Sequence, residues 1–378
     1  MKGDRTGEEL DDPQASDPPL PALWLCGAPG AGKSVVAWEL FHKRTDEQIA
    51  YVDIDQLKMM APDAGETLDL AAASLTALVD AHRNIGTQAL LVSGVIDPEQ
   101  TTILEAALRG RAEVTWILLD ADDDTLGERI RQRGWPEDLV EMVIAEARDW
   151  RAVPDIPRIS TSASTPSEAA KAADDFLALR SKTAPSPRTR AEGTDVSDLV
   201  VIYGPRAVGK SAISWGLFMD CVNQGEQTGY LDADQLGFIH ASPEVRDRLI
   251  RVAVESIAHT FREAGASRSI MNGKLSEALV SAWGGAGAAL VHLDAPIATL
   301  AERAEARHGG DAARLAGDDL EGASSDDRAL VLEQAQHQIS AYASARVPAH
   351  VLDVSDDDGA RHASTIRDAL RGERACSQ

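Results

Sequence analysis

The sequence predicts an α/β fold in two consecutive domains, each a five-stranded parallel sheet with helices on both faces. Three observations predict it. The same landmarks occur twice in the same order, and short apolar runs alternate with helix-length segments. Apolar residues make up 44% of the chain but aromatics only 4%, a composition of small aliphatics that suits layered helices and sheets better than a sandwich. A length of 378 residues bounds the chain to two or three domains, at roughly 100 to 200 residues each.

Taken in order, each half opens on an apolar run that reads as a strand, residues 22–26 and 199–203. There follow Gly27-Ala28-Pro29-Gly30-Ala31-Gly32-Lys33-Ser34 and Gly204-Pro205-Arg206-Ala207-Val208-Gly209-Lys210-Ser211. A helix comes next, carrying Trp38-Glu39-Leu40-Phe41 in one half and Trp215-Gly216-Leu217-Phe218 in the other. The second strand runs into Tyr51-Val52-Asp53-Ile54-Asp55-Gln56-Leu57 and Tyr230-Leu231-Asp232-Ala233-Asp234-Gln235-Leu236, identical at five of seven positions. Later strands end at Gly94 and Gly273, at Asp120 and Asp294, and near Ser160 and Asp353. Glu128-Arg129 and Arg133 are answered by Glu302-Arg303 and Arg307. Parallel strands joined by helices are covered on both faces and gather ligands at their carboxyl ends.

The expected boundaries are a disordered acidic tail at 1–21, domains at 22–180 and 199–372, and a linker at 181–198 rich in Pro, Ser and basic residues. Residues 308–327, rich in Gly, Asp and Ala, have only a short counterpart at 134–138 and read either as a lid or as a tolerated surface insertion.

Charge and cysteine usage exclude several classes of function. Acidic residues outnumber basic ones 61 to 37, and the net charge of -24 repels nucleic acid and anionic lipid alike. No apolar run is long enough to span a bilayer, and the acidic, Pro-rich N-terminal stretch does not resemble a secretion signal. Cys26, Cys221 and Cys376 are too few and too scattered for a disulfide framework or a zinc site. A cytoplasmic protein is expected, with no nucleic acid or membrane partner. The nine histidines repeat no metal-ligand spacing between the halves, and none is assigned a role.

The two glycine-rich segments carry the chemistry. Glycines let backbone N–H groups turn inward around phosphate oxygens, the lysine neutralises the terminal phosphates, and the serine hydroxyl reaches magnesium. The helix that follows aims its positive end at the same place. The expected architecture is thus α/β with two tandem P-loop NTPase domains, and the bound species are ATP and Mg2+. The second loop lacks a glycine where the first has Gly30, so its local shape is expected to differ. Arg206 reads as an added phosphate contact or as an exposed arginine.

Asp53 and Asp55, with Asp232 and Asp234, alternate at a strand end, so their side chains are expected to point to opposite faces and to divide two roles. One holds magnesium through water, for which Ser34 with Asp53 and Ser211 with Asp232 are the candidates. The other orients an acceptor hydroxyl. The alternative is that one of each pair caps the following helix. Arg129 with Arg133, and Arg303 with Arg307, lie four apart on helices and read as phosphate clamps or adenine-stacking groups, the alternative being solvated arginines bridged to Glu128 and Glu302. Trp38 and Trp215 are expected to pack against the sheet.

With the loop, the Asp-x-Asp after the second strand and the arginine-bearing helix in place, the chain resembles the P-loop kinases of the nucleoside monophosphate kinase type. It is similar in particular to small-molecule kinases such as shikimate, gluconate and adenylylsulfate kinases and chloramphenicol phosphotransferase. The stretch Tyr51 to Leu57, with Trp38 and Val92-Ser93-Gly94, further resembles uncharacterised actinobacterial P-loop ATPases of this group. The resemblance implies an acceptor pocket between the second and third strands, where Met59, Met60, Gly94 and Asp97 stand in one half and Phe238, Asn272, Gly273 and Lys274 in the other. Neither half shows the arginine cluster that a shikimate-like carboxylate requires.

The leading expectation is an ATP-dependent phosphotransferase acting on a hydroxyl or phosphate of a small metabolite or nucleotide. Lys33 and Lys210, the paired aspartates and the arginines Arg129, Arg133, Arg303 and Arg307 would be its catalytic groups. The rival expectation is a non-catalytic or weakly hydrolytic ATP-binding regulatory protein with one degenerate half. The halves are also candidates to pack as an internal pseudo-dimer.

Overall fold

The computed structural model describes residues 18–62, 67–181, 195–308, 324–344, 349–356 and 358–376. The N-terminal half runs β1 (Leu20–Cys26), α1 (Lys33–Lys43), β2 (Ile49–Asp53), a 3-10 turn (Ile54–Leu57), β3 (Met60–Ala61), α2 (Thr67–Ile85) and β4 (Ala89–Ser93). It continues with α3 (Gln100–Leu108), β5 (Ala112–Asp120), α4 (Asp123–Gln132), α5 (Glu137–Ala152), β6 (Arg158–Ser160) and α6 (Pro166–Asp174). The C-terminal half runs β7 (Leu199–Tyr203), α7 (Lys210–Asn223), β8 (Thr228–Asp232), α8 (Ala233–Leu236), α9 (Pro243–Glu263) and β9 (Arg268–Asn272). It closes with α10 (Glu277–Gly285), β10 (Ala289–Asp294), α11 (Ile297–His308), α12 (Ser325–Ser344), β11 (His350–Asp353) and α13 (Gly359–Cys376).

The first sheet has five parallel strands in the order β2-β4-β1-β5-β6. The second contains the parallel order β8-β9-β7-β10-β11 and gains β3 as an antiparallel edge on β8. β4, β7 and β9 are buried at every residue, as strands covered on both faces are, which explains why β4 and β7 read as apolar runs; β9 buries Arg268, Ser269 and Asn272 as well. Helix starts follow local chemistry. Asp122 accepts the Thr125 N–H ahead of α4, Thr165 and Glu168 form a reciprocal capping box on α6, and Ser242 with Pro243 opens α9.

The halves are joined through their sheet edges. Met60 pairs with Gly229 of β8, and in the reciprocal position Ala50 of β2 bridges Ile239. The Tyr51 N–H donates to the Phe238 carbonyl at 3.0 Å and the Tyr230 N–H to the Met59 carbonyl at 2.8 Å. Each half thus covers the edge strand of the other, which satisfies backbone groups that an open edge would leave exposed. Around this seam α2 packs along α9, and one apolar cluster runs through both, including Leu75, Leu78, Val254 and Phe261. Phe41 stacks on His240 at 3.9 Å between ring centroids, with His240 Nε2 donating to the Phe41 carbonyl at 2.7 Å.

Gly229 lies at the tightest point of that seam, where an added Cβ would sit 2.2 Å from the Phe261 ring. Gly229→Ala is therefore expected to destabilise the protein by about 1–3 kcal/mol, the usual cost of overpacking a core. A lower midpoint in chemical denaturation checks it; an unchanged midpoint would show that Phe261 can swing away.

Several expected boundaries move. β1 begins at Leu20 rather than Ala22, because Leu20 is fully buried, so residues 20 and 21 do not belong to a tail; residues 1–17 lie outside the described residues. The linker is shorter than 181–198, since Val196 is buried and Asp198 accepts two hydrogen bonds from Arg262; residues 182–194 lie outside the described residues. β3 belongs by sequence to 22–180 but by pairing to the second sheet. The last helix runs past 372 to Cys376. Of the segment 308–327, residues 309–323 lie outside the described residues, and Ser324 caps α12 by accepting the Asp327 N–H. Among the described residues no helix is long and apolar enough to cross a membrane.

Candidate functional site

Both glycine-rich loops leave the carboxyl end of the middle strand of a parallel set, β1 or β7. A Cβ at Gly27 would lie 2.4 Å from the Leu119 carbonyl oxygen, and one at Gly204 2.4 Å from that of Leu293. With φ of 131° and 154° at these positions, only glycine fits. Gly30 (φ 84°) and Gly32 (φ 96°) shape the rest of the first turn, and Ala207 (φ 63°) and Gly209 (φ 97°) repeat it. The second loop therefore keeps the left-handed residue without a glycine, against the expectation of a different shape, at a strain of roughly 1 kcal/mol for an alanine there. Ala28, Ala31 and Val208 are buried, while Pro29 is the third residue of the first loop and Pro205 the second residue of the second.

Lys33 is buried and its Nζ donates to the carbonyls of Gly27 (2.7 Å) and Ala28 (3.1 Å); Lys210 Nζ donates to those of Gly204 (3.1 Å) and Pro205 (2.9 Å). Burial lowers the Lys33 pKa, against the opposing charges of Glu146, Asp55 and Asp53. Burial likewise brings Lys210 down to about 8, with Asp234 opposing and Lys274 and Arg206 adding to the shift. A buried ammonium that is short of compensating charge is suited to receiving an anion.

Ser34 and Ser211 stand in the first turn of α1 and α7. Ser211 Oγ donates to Asn272 Oδ1 (3.3 Å), and Asn272 Nδ2 donates to the Tyr230 hydroxyl (3.0 Å). In the first half the Tyr51 hydroxyl lies 2.8 Å from Ser93 Oγ and also bonds Ser34. A tyrosine and the last residue of β4 or β9 thus position each loop serine. The repeated tyrosine was the sequence signal for this support, but nothing in the sequence linked it to the serine.

The aspartates divide their work differently from the expected alternation. The strand stops at Asp53, and the chain turns at once into the 3-10 segment, so Asp55 is not a strand residue. Asp53 Oδ1 accepts the Asp55 N–H (3.0 Å) and Asp232 Oδ1 the Asp234 N–H (2.9 Å), the capping arrangement. Burial, with the neighbouring Asp55 charge, pushes Asp53 up to about 6, and the same two causes raise Asp232. Asp55 accepts the Val95 N–H (3.1 Å) and pairs with Lys58 (2.7 Å), while Asp234 accepts the Lys274 N–H (2.9 Å) and pairs with Arg246 (3.3 Å). The second aspartate of each pair therefore pins the loop after β4 or β9. Gly94 and Gly273 permit it, because a Cβ there would meet Ile54 at 2.6 Å or Ala233 at 2.8 Å.

The arginines are not clamps of the expected kind. Arg129 donates to the Gly30 carbonyl (3.0 Å) and the Thr161 carbonyl (2.7 Å); Arg303 donates to those of Val208 (3.2 Å), Val354 (2.7 Å) and Asp356 (2.8 Å). Each ties a glycine-rich loop to the segment after the last strand. Arg133 caps the end of α4 and is exposed, as is Arg307 on α11. Arg206 is held by Gln334 (2.7 Å) rather than facing open solvent. Trp38 packs as expected, with Phe238 of the other half at 4.8 Å, but Trp215 is 42% exposed.

One group escaped the sequence reading altogether. Glu146 on α5 exerts the strongest carboxylate effect on Lys33, ahead of both aspartates, and its Oε1 is buried with the Trp150 indole beside it but, among the described residues, no donor in full hydrogen-bond geometry. In the second half Gln338 on α12 faces the loop and accepts the Arg206 N–H at 2.9 Å. No motif marks either residue, because both come from a helix far from the loop in sequence. Among the described residues no cluster of His, Cys, Asp and Glu forms a ready metal cage.

Residues 23–154 match a family model described as an AAA domain. A sugar kinase from Janibacter sp. is 18% identical over 42% of this chain and 94% of its own length, with a TM-score of 0.31. The tunicamycin resistance protein of Deinococcus radiodurans is 21% identical over 43% of this chain and 99% of its own, with a TM-score of 0.35. The shikimate kinase of Bacteroides thetaiotaomicron is 11% identical over 46% and 98%, with a TM-score of 0.33. No curated protein sequence matches. Residues 23–154 thus form a P-loop domain matching the AAA-domain model, and the solved proteins similar to the chain include small-molecule kinases.

Proposed function

We propose that the chain is an ATP-dependent phosphotransferase acting on a small hydroxylated metabolite or nucleotide, built as a tandem pair of P-loop kinase-like halves. The observation that carries the reading is the pairing, in each half, of a lysine, buried at Lys33 and half-buried at Lys210, folded over a glycine-walled loop with carboxylates at the adjacent strand end. A hydrolase would need only the loop and a positioned water; the aspartate-pinned loops after β4 and β9 add a wall on which an acceptor can rest.

Lys33 and Lys210 neutralise the terminal phosphates of ATP. Ser34 with Asp53, and Ser211 with Asp232, would hold magnesium, which supplies charge neutralisation across the phosphates when bound. Asp55 and Asp234 orient the acceptor side by fixing the Gly94 and Gly273 loops. Arg129 and Arg303 keep the phosphate loops rigid, so that positioning rather than covalent chemistry performs the catalysis. The seam between the halves, with its reciprocal edge pairs, supports reading them as an internal pseudo-dimer.

The test is transfer of the γ-phosphate from labelled ATP, measured with and without D-gluconate, shikimate and adenosine as acceptors. Label arriving on an organic product is the expected result. Phosphate release alone, indifferent to every acceptor, would favour the regulatory ATP-binding alternative.

A further inference from the structure

We propose that Glu146 is the proton acceptor of the first half and that, with Gln338 in the matching place, the second half holds nucleotide without performing transfer.

The two residues occupy the same position. α5 and α12 each follow the arginine-bearing helix and precede the last strand. Val143 and Ala335 are both buried, and four residues beyond Glu146 and Gln338 stand Trp150 and Tyr342, both buried in the same apolar cluster. What differs is the loop each one faces. The third residue of the second loop is Arg206, whose N–H is taken by the Gln338 amide oxygen. In the first loop that residue is Pro29, which has no N–H to give. Among the described residues Glu146 Oε1 meets no donor in full hydrogen-bond geometry, only the Trp150 indole alongside, which leaves it able to take a donor from a ligand.

The other carboxylates of the site are already engaged. Asp53 caps the 3-10 turn, and Asp55 is held by Val95 and Lys58. A phosphate oxygen would be repelled by the ionised carboxylate, whereas an acceptor hydroxyl or a water can donate to it. Resting on the phosphotransferase reading, the step is balanced. The hydroxyl oxygen bonds to the γ-phosphorus, the bond from that phosphorus to the β,γ-bridging oxygen breaks, ADP leaves, and the hydroxyl proton passes to Glu146. A glutamine cannot take that proton. The charged groups acting on Glu146 are Lys33 from α1, Asp97 from the loop after β4 and Asp149 on its own helix, with the Trp150 indole alongside. Burial is the main cause that raises its pKa above the ordinary carboxylate range.

The experiment uses the full chain with magnesium and ATP, following phosphate release to water and label transfer to the acceptors above as separate arms. Glu146→Gln is expected to lower turnover in the active arm by about 10²-fold or more, while the titration still counts the same nucleotide equivalents. Wild-type turnover should rise with pH along a limb that Glu146→Gln abolishes, since the protonated carboxyl cannot accept a proton. Glu146→Asp should restore part of the rate and move the limb, and it serves as the informative variant should the glutamine form fold poorly. Turnover within threefold of wild type in Glu146→Gln, or an unaltered limb, overturns the proposal while leaving the phosphotransferase reading standing. A wild type that binds ATP yet turns it over in neither arm overturns both.

Discussion

Lys33→Ala is expected to remove one nucleotide equivalent from a calorimetric titration and to lower phosphoryl transfer by about 10²–10³-fold, the range measured when one preorganised charge-stabilising donor is deleted. Two effects add. The ammonium supplies charge-assisted hydrogen bonds, each contributing about 1.5–3 kcal/mol when made in a site closed to water. It also offsets Glu146, Asp55 and Asp53, so alanine leaves an incoming polyanion facing three carboxylates of which only Asp55 keeps a direct ion pair, to Lys58. Lys210→Ala is the matched control. It should remove the other equivalent and lower transfer far less than Lys33→Ala does, because Gln338 stands in that half where Glu146 stands in the first. If wild type binds a single equivalent, the halves are not both nucleotide sites. If Lys210→Ala abolishes transfer as fully as Lys33→Ala does, chemistry is not confined to the first half.

The fold was legible in the sequence because parallel strands buried on both faces leave unbroken apolar runs, and because a glycine-rich turn between a strand and a helix has few interpretations. Strands expected to end at Asp53, Asp120 and Asp232 end there. The edge seam was not legible. Met60 and Ile239 carry no hairpin or strand signal, and their pairing depends on two segments far apart in the chain meeting at sheet edges. Within the site, residue types were easier to foresee than directions. Arg129 and Arg303 were expected to reach ligand, but carbonyls at the loop and after the last strand lie nearer and claim their guanidinium groups. Asp55 was given the geometry of a strand residue although Ile54 begins a 3-10 turn. Glu146 went unnoticed because a glutamate on an amphipathic helix looks like any solvated residue; only packing shows its Oε1 to be buried.

Gly27→Ala and Gly204→Ala, compared side by side, ask whether the halves also stand or fall together. Each Cβ would sit 2.4 Å from a carbonyl oxygen of the neighbouring strand end, at a φ where side chains are strained. Backbone on both sides of the clash leaves no flexible group to yield. The strained φ and the overpacking together predict a loss of about 2–5 kcal/mol in either variant. Nucleotide binding should disappear from the mutated loop, since the loop can relieve the clash only by moving the N–H groups proposed to cradle phosphate. Because Met60 and Ile239 are exchanged between sheets and α2 packs along α9, destabilising one half removes edge cover from the other. Each variant should therefore unfold in a single transition at lower denaturant, followed by both far-ultraviolet ellipticity and tryptophan emission. Two separated transitions, with only the mutated half shifted, would show that the seam is a contact between independent domains rather than a shared core.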